Sequence, residues 1–498
     1  MSRTRPLKLT GGRVLDSATG AAPFADILVV DGKIEALGRV PDGDFDVLDA
    51  GDRLLIPGLI NSHTHAHGAL ARGAVDDRVP LELFLTAAGA LNGGRTLEDK
   101  YLSAALSAVE MVRRGCTSAF DLFVEIPAPS VEGVHAVGKA YADVGMRAVV
   151  APMLADRSLY RAFPGLLDAI PEPHRARAEA LATQPWQTSL ATAEQAIAAW
   201  PHDRDFVRPA IAPTIPLHAA DEFLVAAARL ARDAGLRFQT HLAESKPQAI
   251  AAQARYGCSM VAHLDRLGVL GPEFSGAHGI WIDAEDMKRL AAKGAAVAHN
   301  PPSNLRLGSG VAAVREMLDA GVRVGIGTDA SNTSDGQNMF EATRLASYLS
   351  RLRGPDFARW LSAAEAFALA TEGSAALLGF EKVGRLAEGY AADIVFLRLD
   401  APNFVPLRDA RLQTVFGESG AAVDKVMIGG RLVFADGTML TIDEARLRRD
   451  AEAAAARLDT ANAGAKSAAA EMSKFVGTFC LAHGSAPCPV HRRLADAL

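Results

Sequence analysis

Two histidines end the stretch Pro57-Gly58-Leu59-Ile60-Asn61-Ser62-His63-Thr64-His65. On an extended backbone side chains alternate faces, so His63 and His65 point one way and Thr64 the other. Two imidazoles converging at a strand end can hold a transition metal, or can simply be hydrogen-bonded, and a lone His-x-His does not separate the two readings. Three further stretches do. His241-Leu242-Ala243-Glu244, His278-Gly279 and Thr328-Asp329 each close an apolar run. His63, His65, His241 and Asp329 make an N3O set suited to Zn²⁺ or Fe²⁺. Glu244 and His278 remain beside that set as groups able to move protons.

The elements that must position these groups are short apolar runs separated by helical patterns. The runs cover 54–67, 117–122, 147–153, 207–214, 237–242, 275–282, 295–300 and 322–329. Between them lie patterns such as Thr96 to Arg114, apolar at Leu97, Leu102, Ala105, Leu106, Val109 and Val112 with Thr96 as N-cap. Alternating strands and helices are the signature of parallel βα units. Eight strands match a closed (β/α)8 TIM-type barrel, whose chemistry gathers at the strands' C-terminal ends. An open doubly wound sheet is the competitor, and no Gly-rich phosphate or dinucleotide fingerprint supports it.

Both ends of the chain read differently. Leu7-Lys8-Leu9-Thr10 alternates as a half-buried strand does, and Asp31-Gly32 after Asp26-Ile27-Leu28-Val29-Val30 is a hairpin signal. Ala392-Asp393-Ile394-Val395-Phe396-Leu397 echoes Ala25-Asp26-Ile27-Leu28-Val29-Val30 late in the chain. The expected organisation is a β-sandwich built from 1–56 and 381–442, a metal-dependent barrel over 57–380, and a helical and irregular tail over 443–498. Within the barrel, 156–200 is too long for a plain connection and is expected to add helices near its mouth. In the tail, 443–466 reads as a surface helix followed by irregular chain.

A chain of 498 residues with a net charge of −6 gives no reason to expect nucleic acid or an anionic membrane as partner. No secretory h-region and no run of about 18 apolar residues is visible. Four cysteines, two isolated and two in the tail, make no disulfide framework, and the expected compartment is the cytoplasm.

The motifs together resemble the amidohydrolase superfamily, in its branch of cytosine deaminases, triazine hydrolases and adenosylhomocysteine deaminases. The resemblance rests on Pro57 to Asn61, His63-x-His65, His241-x-x-Glu244, His278, His299-Asn300-Pro301-Pro302-Ser303-Asn304-Leu305 and Gly325-Ile326-Gly327-Thr328-Asp329. It extends from Leu7 to about Leu440. It implies His63, His65, His241 and Asp329 as metal ligands. Binuclear relatives carry a bridging carboxylated lysine on strand four, and 207–214 contains none. The resemblance therefore implies one divalent ion per site, Zn²⁺ first and Fe²⁺ as the alternative, and a dimer or larger homo-oligomer.

The implied reaction is hydrolytic deamination of a small aminated N-heterocycle of purine, pyrimidine, pterin or triazine type. A divalent ion brings the pKa of its water to about 7, so that hydroxide can attack the aminated ring carbon. Glu244 then shuttles the proton to a ring nitrogen, Asp329 protonates the leaving amine, and His278 orients the nucleophile. The alternative keeps the metal site and expels chloride or an alkylamine, or cleaves an amide. Retention of Glu244 favours a leaving group that needs a proton. A barrel without metal, serving as a scaffold, is the non-enzyme reading.

Other residues are open to two readings. His67 either contacts substrate or lines its loop. For Arg72, Asp76, Asp77 and Glu82, substrate binding competes with a solvated loop charge. Ser303 and Asn304 are expected to hold their own loop, and Ser331 to Gly336 to cap a helix starting near Gln337. In the tail, Cys480-x-x-His483 and Cys488-x-x-His491 could close a structural zinc site, against two incidental thiols.

Overall fold

The computed structural model describes residues 5–41, 43–181 and 183–493. Parallel pairing begins at Leu59–His65 and passes in order to Cys116–Phe123, to Arg147–Leu154, and to Val207–Pro209 with Ala212–Pro213. Ile211 bridges to Phe238. From Phe238–Leu242 the pairing continues through Phe274–His278, Ala296–His299 and Arg323–Ile326. The short strand Asp329–Ala330 then pairs with Thr64 and His65. The succession of pairs thus returns to its first strand.

These strands are buried on both faces, as parallel strands covered by helices must be. Several of the intervening helices begin at side-chain caps. Thr96 accepts from the amide of Asp99 and Asp99 from that of Thr96, so a capping box opens Leu97–Arg113. Asp283 and Asp286 do the same for Ala284–Ala292.

The first run divides in two, contrary to its reading as one strand. Arg53–Pro57, which contains Leu54 to Ile56, pairs antiparallel with Ile394–Arg398 from the far end of the chain. The parallel strand starts only at Leu59. The pairing partner changes between them, and Gly58 fits there because a Cβ would lie 2.1 Å from Thr117 Oγ1. The last run divides as well, between Ile326 and Asp329, where Asn61 holds both the amide and the hydroxyl of Thr328.

The two ends of the chain meet in one sheet. Its order is Arg13–Val14, Arg53–Pro57, Ile394–Arg398, Val423–Ile428, Arg431–Ala435 and Thr438–Met439. A second sheet runs Lys33–Gly38, Asp26–Val30, Leu7–Thr10 and Asp46–Asp49. Leu9, Ile27 and Ile34 of the second share an apolar core with Leu55, Ile394, Phe396 and Met427 of the first. The hairpin at Asp31-Gly32 forms as expected, both residues having positive φ (47° and 78°).

The long connection after Arg147–Leu154 carries the helices Leu159–Ala162, His174–Glu179 and Trp186–Ala198. It lies against the chain leaving the fourth strand: the amides of Asp156 and Arg157 both donate to the His218 carbonyl. The tail departs from expectation. Glu444–Ala461 forms, capped by Asp443, but the chain does not become irregular after it. A further helix, Ala463–Gly484, packs on Leu81–Asn92 and Lys246–Tyr256. This stretch is Ala-rich and free of proline, and Met472, Val476 and Cys480, four apart, all turn inward. No helix of the described residues is long and apolar enough to cross a membrane.

Candidate active site

His63 and His65 sit on one face of the first strand, with ring centroids 4.6 Å apart. Thr64, pointing away, donates to the Asp329 carbonyl and to Gln337. His241 stacks on His65 at 5.0 Å, and His278 lies 5.6 Å from His241. Ala243, His278 and Asp329 all have positive φ (44°, 72° and 66°). None is glycine, so the backbone is strained where three strand ends turn their groups inward.

The hydrogen bonds around the rings decide where their protons sit. His65 Nδ1 meets the Leu122 carbonyl at 2.6 Å and His241 Nδ1 the Thr214 carbonyl at 2.5 Å. A carbonyl can only accept, so each Nδ1 donates and each Nε2 presents a lone pair. His63 Nδ1 lies 2.7 Å from Gln239 Oε1, and the amide nitrogen of Gln239 donates to the Ser62 carbonyl and to Ser275. That amide therefore turns its oxygen to His63, whose Nε2 also carries a lone pair.

These lone pairs converge. His65 Nε2 and His241 Nε2 are 3.0 Å apart. Asp329 Oδ1 is 3.2 Å from His65 Nε2 and 3.6 Å from His63 Nε2. The Nε2 atoms of His63 and His278 are buried and have no hydrogen-bond partner among the described residues. His63, His65 and His241 form one group with ligand atoms within 4.8 Å of one another, and His63, His278 and Asp329 another. Acceptors facing acceptors in a buried pocket repel unless a cation joins them. The donor set, three imidazoles and a carboxylate, fits a divalent ion.

Glu244 stands beside this group, with Oε2 3.5 Å from His278 Nε2. Burial, and then the charges of Asp329 and Glu82, push its carboxyl well above the usual range. A cation among the histidines acts in the opposite sense. Burial pulls His278 down to about 4, so the ring is neutral at pH 7.

A family model described as the amidohydrolase family matches residues 54–433. The chain belongs to that family. This amidohydrolase is 33% identical over 443 residues to a 5-methylthioadenosine/S-adenosylhomocysteine deaminase of Desulforudis audaxviator, covering 87% of this chain and 94% of the relative. It is 32% identical over 459 residues to a 5'-deoxyadenosine deaminase of Methanothermobacter thermautotrophicus, covering 90% and 98%. A zinc-bound adenosine deaminase from Xanthomonas campestris superposes with a TM-score of 0.80 at 25% identity, covering 91% and 98%. An atrazine chlorohydrolase from Arthrobacter aurescens, complexed with zinc, gives 0.80 at 27%, covering 90% and 100%. The fold is α/β of the TIM-barrel type, and the chain is a hydrolase acting on carbon–nitrogen bonds.

The amidohydrolase site brings together all six residues expected from sequence: His63, His65, His241, Glu244, His278 and Asp329. Arg72, Asp76 and Asp77 stay exposed. Arg72 pairs with Glu110, while the carbonyls of Asp76 and Asp77 accept from Arg306. Glu82 is not a solvated charge: it is 2% exposed and accepts from the Ser245 hydroxyl beside Glu244. His67 is buried, accepts from the Val124 amide at 3.2 Å, and packs between His65 and Phe123.

Three loop assignments change. Ser303 donates to Asp329 Oδ2 at 2.5 Å, and Asn304 meets His278 Nδ1 at 2.8 Å, so neither merely holds its own loop. Helix Met339–Ser350 is capped by Asn338 rather than by Ser331 to Gly336, from which Thr333 instead reaches Asp329 at 3.2 Å. Gln239 escaped the sequence reading, although its place two residues before His241 puts it on the same strand face. Among the described residues, the tail pairs do not converge into a ligand group. His483 is turned back onto Phe479, with ring centroids 4.0 Å apart and Nδ1 on the Phe479 carbonyl.

Proposed function

We propose that the chain is a mononuclear metal-dependent deaminase of aminated N-heterocycles, with 5'-modified adenosines as the substrate class. The observation that carries this reading is Glu244: a buried carboxyl that is not one of the converging acceptors, beside His278. Relatives named for the deamination of 5'-deoxyadenosine and methylthioadenosine, at 32% and 33% identity, support the choice of ring.

His63, His65, His241 and Asp329 are the proposed ligands of one ion, Zn²⁺ before Fe²⁺; the absence of a lysine from 207–214 supports a single ion. Bound there, a divalent cation would bring the pKa of water to about 7 and so make hydroxide available at neutral pH. Glu244 takes a proton from the attacking water and delivers it to the ring nitrogen beside the aminated carbon. Asp329, with Oδ2 held by Ser303 and Thr333, moves the second proton to the amine, which departs as ammonia. His278, kept neutral and oriented by Asn304, donates nothing through Nε2 and fixes the direction of attack. Water adds, ammonia leaves, and the ring carbon becomes a carbonyl.

The proposed frame is a closed (β/α)8 barrel over 57–380, supported by the pairing of Asp329–Ala330 with the first strand. A β-sandwich built from 1–56 and 381–442 is supported by the core its two sheets share. The tail is 443–498. Residues 1–4, 42, 182 and 494–498 lie outside the described residues.

The test is ammonia release from adenosine, 5'-deoxyadenosine, methylthioadenosine and S-adenosylhomocysteine, with a chlorinated triazine alongside and the metal content measured. Ammonia from an adenosine is the expected result. Chloride release from the triazine with no ammonia from any purine would overturn the reading.

A further inference from the structure

We infer that Arg492, in the C-terminal tail, is a positioning residue of this active site: it staples the chain leaving His278 to the chain that carries Asn304. The two sides of the staple are on either face of one residue. The guanidinium, buried in the fold, donates through Nε to the Ile280 carbonyl and through Nη2 to the Ile282 carbonyl, each at 2.6 Å. The backbone carbonyl of Arg492 accepts from the Val311 amide at 2.8 Å.

Each side leads directly to a group of the site. Ile280 and Ile282 come just after His278 and Gly279, both in the left-handed region at φ 72° and 55°. A strained turn keeps its shape only where the chain beyond it is held. The chain bends at Trp281 between these two carbonyls, and the planar fork of arginine reaches both at once. On the other side, Val311 closes the loop after Pro301–Arg306, the helix that supplies Ser303 to Asp329 and Asn304 to His278. The Ser309 amide donates to the Asn304 carbonyl, and the Trp281 indole donates to the Ser309 carbonyl at 2.9 Å. The approach is close: a Cβ at Gly310, whose φ is 127°, would meet the Arg492 carbonyl oxygen at 3.0 Å.

The rest of the tail runs in the same direction. Helix Ala463–Gly484 packs on Leu81–Asn92, which carries Glu82, and Arg493 lies 5.7 Å from the Trp281 ring centroid. The His278–Asn304 pair is thus clamped from outside the strands by a segment distant in sequence. Since His278 acts on the direction of attack rather than on the grip on substrate, loosening the clamp lowers turnover more than binding. A displacement on the order of 1 Å at a reacting group costs up to about 10²-fold.

The kinetic arm of the test rests on the deaminase reading; an exchange arm does not. The protein is prepared with metal as wild type, Arg492→Ala and Arg492→Lys. Expected for Arg492→Ala are a soluble, folded protein of somewhat lower melting temperature with wild-type metal content, kcat lower by about 10- to 100-fold, and KM within about threefold. Lysine reaches one carbonyl at a time and recovers part of that loss. Amides of 309–311 exchange faster with solvent deuterium in the alanine variant. Turnover within about twofold of wild type, or unchanged exchange at these amides, overturns the inference. So does a loss of metal or soluble protein in both variants, which marks Arg492 as structural only. Where alanine alone does not fold, lysine decides: lowered kcat at wild-type KM supports the staple and unchanged kcat overturns it. Failure of the wild type to release ammonia sinks the proposed function, and the exchange arm still decides the staple.

Discussion

At the scale of single residues, the proposed site separates groups that hold the ion from a group that moves protons. His241 sends its Nδ1–H to the Thr214 carbonyl and its lone pair inward, so His241→Ala removes one of the proposed ligands. The expected loss of metal affinity exceeds about 100-fold, the upper range for removing an outer partner alone, and elemental analysis after dialysis reads it. Wild-type metal content in that variant would remove His241 from the ligand set. Glu244→Gln keeps shape and burial but cannot accept the proton of water. It should retain metal and lose roughly 10²- to 10⁴-fold in kcat, with KM little changed. Near wild-type kcat with full metal occupancy would take Glu244 out of the mechanism. All six of these groups were legible as candidates because each closes an apolar run at a strand end, and the structure brings them together. Asn304 and Ser303 were misread for a physical reason: their partners, His278 and Asp329, lie 26 positions away, and no local pattern encodes that distance.

At the scale of elements, caps and crossings decide what the sequence leaves ambiguous. The run of Leu54 to Ile56 and the strand Leu59–His65 look like one element in sequence. They are two because Arg53–Pro57 pairs with Ile394–Arg398 and Leu59–His65 with Cys116–Phe123, partners that the local sequence does not name. Helix Ala463–Gly484 hid for a different reason, since its inward stripe of Met472, Val476 and Cys480 is sparse among alanines. The capping box of Ala284–Ala292 carries a pH effect. Burial pushes the Asp286 carboxyl up to about 6, against the Ser259 hydrogen bond that lowers it. The fold therefore binds a proton that the unfolded chain, at 3.8, releases earlier. This contribution is fully present below pH 3.8 and is lost as the pH rises through about 6. Asp286→Asn should remove that dependence and narrow the fall in stability between those values by at most about 3 kcal/mol. Denaturant midpoints of both proteins at about pH 4 and about pH 7 measure it; parallel changes in the two would refute the assignment.

At the scale of the whole molecule, the far ends of the chain cooperate. The echo of Ala25 to Val30 in Ala392 to Leu397 made the shared β region readable from the residues alone. The tail across the site was not readable, because the guanidinium of Arg492 reaches the backbone carbonyls of Ile280 and Ile282, which no residue type marks in the sequence. A group of lone pairs that repel one another makes the folded chain a better host for a cation than the unfolded one. Chelation should therefore lower stability by about 4 kcal/mol where the free ion stood at roughly a thousand times its Kd, seen as a lower melting temperature restored by Zn²⁺. An unchanged melting temperature after complete stripping would separate metal binding from folding.

The pairing of Asp329 with Thr64 has a consequence in time. The two partners stand 265 positions apart. On a ribosome adding about 5 to 20 residues per second, the first strand waits on the order of tens of seconds for the strand that completes its histidines. During that interval the proposed ligand set lacks its carboxylate, and only the three histidines His63, His65 and His241 can be present. Topology therefore places the full set last, after the seam between Asp329 and Thr64 has formed. A nascent chain arrested before residue 329 should hold zinc at this site more weakly than the full chain does.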